Sequence, residues 1–227
     1  EDKTVSLAMI AIQGPNAVEA TSALAWQDLS DLKYYHFRLG RLRDRLALLS
    51  RTGYTGEDGF ELFCRPADVE RLAETILAAG QAHGMELAGL GARDSLRLEA
   101  GYPLYGHEIS DTITPLQAGL GWVVKLDKAG DFIGRDALRA QKTAGLPSKI
   151  VFFRTGDRRI VRAGTPVLDA SGPVGVVMSG TLSPILNESI GSALVKTGAG
   201  ELSVDVRGTA LKLTPTTPPF VHLPAKL

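Results

Sequence analysis

Five side chains that could bind one ligand lie between residues 51 and 122 of this chain. Glu61 supplies a carboxylate, Tyr54 a phenol, Arg93 and Arg97 two guanidiniums, and Trp122 an indole. A carboxylate accepts paired hydrogen bonds, a guanidinium pairs with an anionic group, and aromatic rings stack on flat ones. The set suits a flat, polar heterocycle with an anionic tail, such as a pteridine that bears a glutamate, and it predicts a folate site.

Glu61 stands in a predicted strand, where the alternation of side chains places it on the face opposite Phe60 and Leu62. A buried carboxylate is costly unless it is hydrogen-bonded. The ring N–H and the exocyclic amine of a pteridine are two adjacent donors that would satisfy it. The alternative is a strand glutamate that faces water, which is the commoner case.

The other four residues also have ordinary structural alternatives. Tyr54 lies in a glycine-rich run, so it either approaches a ligand closely or fills a turn. Arg93 and Arg97 are four residues apart on one helix face, and both could pair with surface carboxylates instead. Trp122 is either a core residue or a stacking wall for the ligand.

The composition excludes several classes of protein. Lys plus Arg and Asp plus Glu are 25 each, so no global charge favours nucleic acid or an anionic membrane. No apolar run approaches about eighteen residues, so no transmembrane helix is expected. The four histidines lack metal-ligand spacing, and we expect no metal. The single Cys64 cannot form an internal disulfide, which fits a reducing compartment; we expect the cytoplasm, although an organelle matrix is equally reducing.

The elements that must position these residues are alternating strands and helices in the first part of the chain. Strands are predicted over residues 7–12, 34–39, 46–51 and 60–63, and helices over residues 17–24, 68–79 and 92–100. Strand, helix, strands and helix is the order of a ferredoxin-like α+β unit.

The pattern changes after about residue 145. Short strands separated by glycine and proline turns are predicted over residues 150–154, 165–168, 174–179, 190–194, 202–206 and 211–213. Such a series favours a small β-barrel or sandwich. We therefore predict an α+β protein: a ferredoxin-like part of the ligand-binding region (1–90), a helical and strand segment that completes the pocket (91–145) and a C-terminal β-barrel domain (146–227).

Six stretches, in order along the chain, carry a resemblance to a known family. They read RTGYTGEDGFEL from Arg51, GARDSLRLEAG from Gly91, TPLQAGLGW from Thr114, FIGRDAL from Phe132, RAGTPVLD from Arg162 and SGTLSP from Ser179. This series resembles the glycine-cleavage T-protein, or aminomethyltransferase, family and covers nearly the whole chain. Members of that family begin with a further N-terminal portion that carries an essential aspartate, so we expect this chain to be a fragment.

The resemblance implies a role for each candidate residue. Glu61, Arg93, Tyr54 and Trp122 would bind folate, and Arg97 would be structural or secondary. A methylene unit would pass from an aminomethyl group, held on the lipoyl arm of a carrier protein of the glycine cleavage system, to tetrahydrofolate, with release of ammonia. Because the family's aspartate belongs to the portion absent here, we assign no catalytic acid or base in this chain.

Two other interpretations remain open. A sister enzyme of the same fold, a folate-dependent demethylase, would act on a sulfonium or a methylated amine, although GARDSLRLEAG and GYTGEDG fit the glycine-cleavage branch better. A non-catalytic folate-binding module is the second; such relatives carry a short cysteine-containing signature that the sequence around Cys64 does not resemble. A fragment without its acid would also bind and not catalyse, and the part of its core left exposed would invite association.

Overall fold

The computed structural model describes residues 1–25 and 28–222 of the chain. These residues form two compact units, residues 1–96 and residues 97–222. The first unit is an antiparallel sheet with helices, and the second contains a closed six-stranded barrel. The predicted α+β fold class with a C-terminal barrel is confirmed.

Four antiparallel strands make the sheet of the first unit: β1 (Ala8–Gln13), β2 (Phe37–Leu42), β3 (Arg45–Ser50) and β4 (Gly59–Cys64). Their order across the sheet is β1-β4-β3-β2. Two helices belong to the unit, α1 (Ala17–Ser22) and α2 (Val69–Gly80). The core between helices and sheet contains Ile12, Leu42, Leu49, Phe60, Leu62, Leu72 and Ile76.

Strand β4 shows how the sequence sets the two faces of this sheet. Phe60 and Leu62 are fully buried toward the helices, and Glu61 is half-buried on the other face. This confirms the face predicted from the period-two alternation of the strand. The face without helices is nevertheless rich in apolar residues, and Met9, Phe37, Leu39 and Leu46 are exposed on it.

The second unit is built on a barrel whose sheet has no open edge. Its strands are β5 (Ser148–Arg154), β6 (Pro166–Asp169), β7 (Gly172–Ser183), β8 (Glu188–Lys196), β9 (Leu202–Val206) and β10 (Thr209–Thr216). They close in the order β10-β5-β8-β7-β6-β9. The main core of this unit includes Phe153, Val161, Val167, Val177, Ala193, Val204 and Leu213. Closure satisfies every strand edge, so this unit is not open to strand pairing with other chains.

Two further α-helices are present among the residues that the structure describes. Helix α3 (Leu90–Glu99) begins in the first unit and ends in the second, and α4 (Arg135–Ala144) precedes the barrel. Sequence analysis did not predict α4, most of whose residues are polar and none of which is buried. None of the helices in the described ranges is long and apolar enough to span a bilayer.

Candidate functional site

The loop between β3 and β4 is clamped by a charged pair at its two ends. Arg51, only 3% exposed, donates from Nε and Nη2 to the carboxylate of Asp58, at 3.1 and 2.5 Å. Its Nη1 donates to the carbonyl of Leu32 at 2.7 Å. The hydrogen bond and charge of Asp58 raise the pKa of Arg51, despite burial. A bidentate pair of this kind fixes the geometry of the loop that carries Tyr54.

Gln13 at the end of β1 ties the same loop to the sheet. Its Nε2 donates to the carbonyls of Thr52 and Phe60, both at 3.1 Å. A Cβ on Gly53 would lie 1.8 Å from the amide oxygen of Gln13, so a larger residue at that position would have to displace the amide that bonds to Thr52 and Phe60. Tyr54 follows Gly53 directly, so the side-chain amide of Gln13 helps to fix the position of the Tyr54 backbone.

Tyr54 and Arg93 are brought together within the first unit. The guanidinium carbon of Arg93, near the start of α3, lies 4.9 Å from the centroid of the Tyr54 ring. This is a cation–π contact. It leaves the planar edge of the guanidinium, which carries its donors, available to an anionic group.

A cavity of about 300 Å³ adjoins the pair. Its walls come from β1, α2, α3 and the segment before α3, and most are apolar: Ile10, Ile12, Leu77, Met85, Leu87 and Leu96. Polar groups enter it from Gln13, Glu86, Tyr54 and Arg93. An apolar cavity with a few convergent polar groups is the usual form of a small-molecule site.

Glu61 lies on the helix-free face of the sheet and does not line this cavity. Its register partners are Ser50 on β3 and Ala11 on β1. Thr52 donates its hydroxyl to Oε2 of Glu61 at 2.5 Å. The loop that places Tyr54 beside Arg93 thus also orients the Glu61 carboxylate through Thr52.

Trp122 belongs to the second unit, in a turn between residues 120 and 124. Its side chain is 71% exposed, so it is not part of a core. This indole is accessible to a ligand or a partner. Its predicted contact with folate stays a prediction.

Arg97 has a different environment from that of Arg93. It is 1% exposed and donates to Glu108 at 3.2 Å, to Ser179 at 2.8 Å and to the carbonyl of Tyr102 at 3.2 Å. Ser192 donates to the other carboxylate oxygen of Glu108. Arg97 is therefore enclosed by hydrogen-bonding groups of its own unit, and its structural or secondary role in the site stays a prediction.

The carboxylate of Glu108 is held in its charged form by this network. Burial raises the pKa of Glu108. Hydrogen bonds from the side chains of Ser192 and Ser179 and from the backbone N–H of Leu104 lower it, as does the charge of Arg97, and together they outweigh burial. The pKa therefore lies below its ordinary value. The ion pair joins the end of α3 to the segment that follows it, and the hydrogen bonds with Ser179 and Ser192 connect both to strands β7 and β8.

Several positioning residues were missed by sequence analysis. The sequence analysis does not single out five of them: Gln13, Arg51, Thr52, Asp58 and Glu108. The residues next to them in sequence do not indicate these roles, because each of them hydrogen-bonds to a partner on another element. The position of Gln13 immediately before a Gly-Pro break, at a strand end, was the one cue available.

The barrel carries a cleft of about 520 Å³ lined by arginines. Arg159 pairs with Asp157. The hydrogen bonds and the charge of Arg159 lower the pKa of Asp157 to about 2. Arg158, Arg162 and Arg207 have no ion-pair partner among the residues that the structure describes. In a chain of zero net charge, this is a local positive surface.

No metal centre accompanies these features. Within residues 1–25 and 28–222, no three His, Cys, Asp or Glu side chains come together in a group that could hold an ion.

Comparison with known proteins places the chain in a family. The family model described as the GCVT N-terminal domain matches residues 1–128, and the glycine cleavage T-protein C-terminal barrel domain matches residues 149–222. Curated aminomethyltransferases are similar over 225 residues and 97% of the chain: 47% identical in Saccharopolyspora erythraea and 46% in Geobacillus thermodenitrificans. The chain spans 61% and 62% of those relatives' own lengths.

A solved structure agrees with the sequence comparisons. The crystal structure of glycine cleavage system aminomethyltransferase T from Bartonella henselae superposes with a TM-score of 0.71 at 26% identity. The match covers 95% of this chain and 84% of that one. The chain belongs to the glycine cleavage T-protein family.

Proposed function

We propose that this chain binds tetrahydrofolate as part of an aminomethyltransferase of the glycine cleavage system. The reaction moves a methylene unit from an aminomethyl group on a lipoyl arm to tetrahydrofolate. The carbon–sulfur and carbon–amine bonds of the aminomethyl group break, and two carbon–nitrogen bonds to folate form, which gives methylene-tetrahydrofolate. The two protons lost by the folate nitrogens are balanced by those gained by the lipoyl sulfur, which leaves as a thiol, and by the amine, which leaves as ammonia. The observation that carries the proposal is one loop, residues 51–58, that sets both the Tyr54–Arg93 pair and the Glu61 carboxylate.

Each group in the site has a role that its chemistry supports. Glu61 accepts hydrogen bonds from the pterin ring N–H and its exocyclic amine, which are adjacent donors. Tyr54 gives the pterin an aromatic wall, and Arg93 pairs with a carboxylate of the glutamate tail. Trp122 stacks against the folate as a further wall. Thr52 and Gln13 are positioning residues that act through Glu61 and the loop.

Catalysis on this account is mainly a matter of placement. The protein holds the accepting nitrogen of folate against the aminomethyl carbon, which replaces an encounter in solution by a fixed geometry. We assign no general acid or base among the residues described.

The donor is a lipoylated carrier protein of the glycine cleavage system. The arginine-lined cleft on the barrel supports a protein partner with an acidic surface, because complementary charge speeds encounter and orients docking. Arg158, Arg162 and Arg207 are the side chains available for that contact.

A transfer assay tests the proposal. The chain is incubated with tetrahydrofolate and a carrier protein loaded with the aminomethyl group, and ammonia and methylene-tetrahydrofolate are measured. Formation of both products only when folate and loaded carrier are present together supports the aminomethyltransferase. Consumption of a methylated amine without the carrier favours the demethylase, and folate binding with no transfer favours the binding module.

A further inference from the structure

Two hydroxyl groups lie beside the Glu61 carboxylate in the first unit. Ser50, at the end of β3, is the register partner of Glu61 on β4, and Thr52 follows it in the loop between these strands. The hydroxyl oxygen of Thr52 lies 2.5 Å from Oε2 of Glu61 and 3.0 Å from the hydroxyl oxygen of Ser50. All three residues are half-buried, so their polar groups are partly withdrawn from water.

The chemistry of these groups sets the direction of both hydrogen bonds. A carboxylate only accepts, and a threonine hydroxyl has a single proton to donate. The proton of Thr52 therefore goes to Glu61, over the shorter of its two contacts. The hydroxyl of Ser50 then donates to the oxygen of Thr52. The three side chains form a directed chain of hydrogen bonds that ends on one oxygen of the carboxylate.

Thr52 is itself held in place on both sides. The side-chain amide of Gln13 donates to its carbonyl oxygen at 3.1 Å, and Arg51, the residue before it, is clamped to Asp58. The branched Cβ of a threonine also restricts the rotamers that its hydroxyl can adopt. A hydroxyl held in this way fixes the plane of the carboxylate to which it donates.

We infer that Thr52 determines specificity at this site, because the fixed plane of the Glu61 carboxylate selects rings that present two adjacent donors. Thr52 takes one of about four lone-pair positions of the carboxylate, so each oxygen keeps room for a ligand donor. Two bonds form together only when ring and carboxylate are coplanar, and a plane fixed in advance lowers the cost of ordering them. A single bond forms at many carboxylate angles and gains little. The inference rests on the proposed function, in which the pterin N–H and exocyclic amine are the two donors.

Two ligands and four variants test this selection by calorimetric titration. The ligands are 5-formyl-tetrahydrofolate and an analogue in which a methyl group replaces its exocyclic amine, and the ratio of their Kd values measures the preference for two donors. Thr52→Val removes the hydroxyl at nearly constant volume, and Thr52→Ser keeps it. Ser50→Ala removes the outer hydroxyl and leaves the loop itself unaltered. Thr75→Val is the matched control, because the hydroxyl of Thr75 donates to the carbonyl of Arg71 within α2.

The wild type should bind the ligand with the amine about tenfold more tightly than the methyl analogue, which lacks a charge-assisted bond. Thr52→Val should reduce this ratio by about fivefold and Ser50→Ala by about twofold, whereas Thr52→Ser and Thr75→Val should keep it. An unchanged ratio in Thr52→Val, or an equal fall in Thr52→Ser, would overturn the inference and leave the proposed function standing. Failure of the folded wild type to bind either ligand would overturn both.

Discussion

The two units differ in how far they bury the apolar side chains of their strands. In the second unit the sheet closes on itself, so its apolar side chains turn inward and no strand edge is free. In the first unit the sheet stays open, helices cover one face, and Leu39 and Phe37 remain exposed on the other. The candidate ligand residues lie mostly on the open unit. The barrel therefore buries its apolar side chains within itself, whereas the open sheet keeps part of its apolar surface exposed.

The buried charges of the two units differ in the same way. In the barrel unit, Arg97 and Glu108 are both about 1% exposed in their side chains. In the sheet unit, Arg51 is buried but its partner Asp58 is 20% exposed. The first pair is enclosed and structural, and the second closes a surface loop that carries ligand-binding groups.

Breaking the enclosed pair should have the largest effect. Glu108→Gln removes the buried carboxylate that pairs with Arg97, and we expect a loss of about 3–5 kcal/mol in unfolding free energy. Hydrogen exchange of amides in β7 and β8 measures it. Glu201→Gln, which removes an exposed pair with Lys212, is the control and should cost less than about 1 kcal/mol. Similar small losses for both variants would show that the network does not hold the barrel.

Acid should weaken the barrel unit through the same carboxylate. The folded pKa of Glu108 lies below its ordinary value of 4.5, so its contribution is fully present above pH 4.5. It is lost as the pH falls through the folded pKa. Hydrogen exchange of β7 and β8 amides from pH 6 downward should show this decline, and Glu108→Gln should flatten it. A decline of equal size in the variant would assign the acid sensitivity to other groups.

Loss of the loop clamp should have an intermediate effect confined to the sheet unit. Asp58→Asn removes the charge opposite Arg51, and we expect a cost of about 1–3 kcal/mol, reduced because Asp58 is partly exposed. Faster hydrogen exchange in residues 51–58 with unchanged exchange in the barrel would report it. Asp31→Asn, which removes an exposed carboxylate that pairs with the half-buried Arg38, is the control. Equal disturbance of both units would contradict the local role of the clamp.

The smallest effect is expected on the exposed apolar face. Leu39→Glu should change the unfolding free energy of this chain by less than about 0.5 kcal/mol, because the side chain is largely in water already. The same change should lower self-association, as measured by light scattering across a concentration series. A large loss of stability in the monomer would mean that Leu39 already packs against protein.

Local patterns explain why part of this account was predictable from sequence. The face of Glu61 follows from the alternation of a strand, and α2 follows from its apolar spacing. The Gln13 bond to Phe60 joins residues 47 apart in sequence, and Ser192 reaches Glu108 across 84 positions. No local period encodes such partners. Helix α4, most of whose residues are polar, was also not predicted.

The resemblance to the family predicted which residues bind the ligand, but the structure places those of the first unit on different surfaces. Tyr54 and Arg93 stack beside an apolar cavity, whereas Glu61 lies on the helix-free face of the sheet. What links them is the loop that Gln13 and Arg51 hold. That link depends on the three-dimensional path of residues 51–58, which motif spacing does not describe.

The central claim is that Glu61 binds the pterin of folate, and calorimetric titration of 5-formyl-tetrahydrofolate into the folded chain tests it most directly. Glu61→Gln should weaken binding by about 1–3 kcal/mol, or about 5- to 150-fold in Kd, through loss of a charge-assisted hydrogen bond. Glu57→Gln, a half-buried glutamate of the same loop, should bind as the wild type does. Equal affinity of wild type and Glu61→Gln would contradict the account.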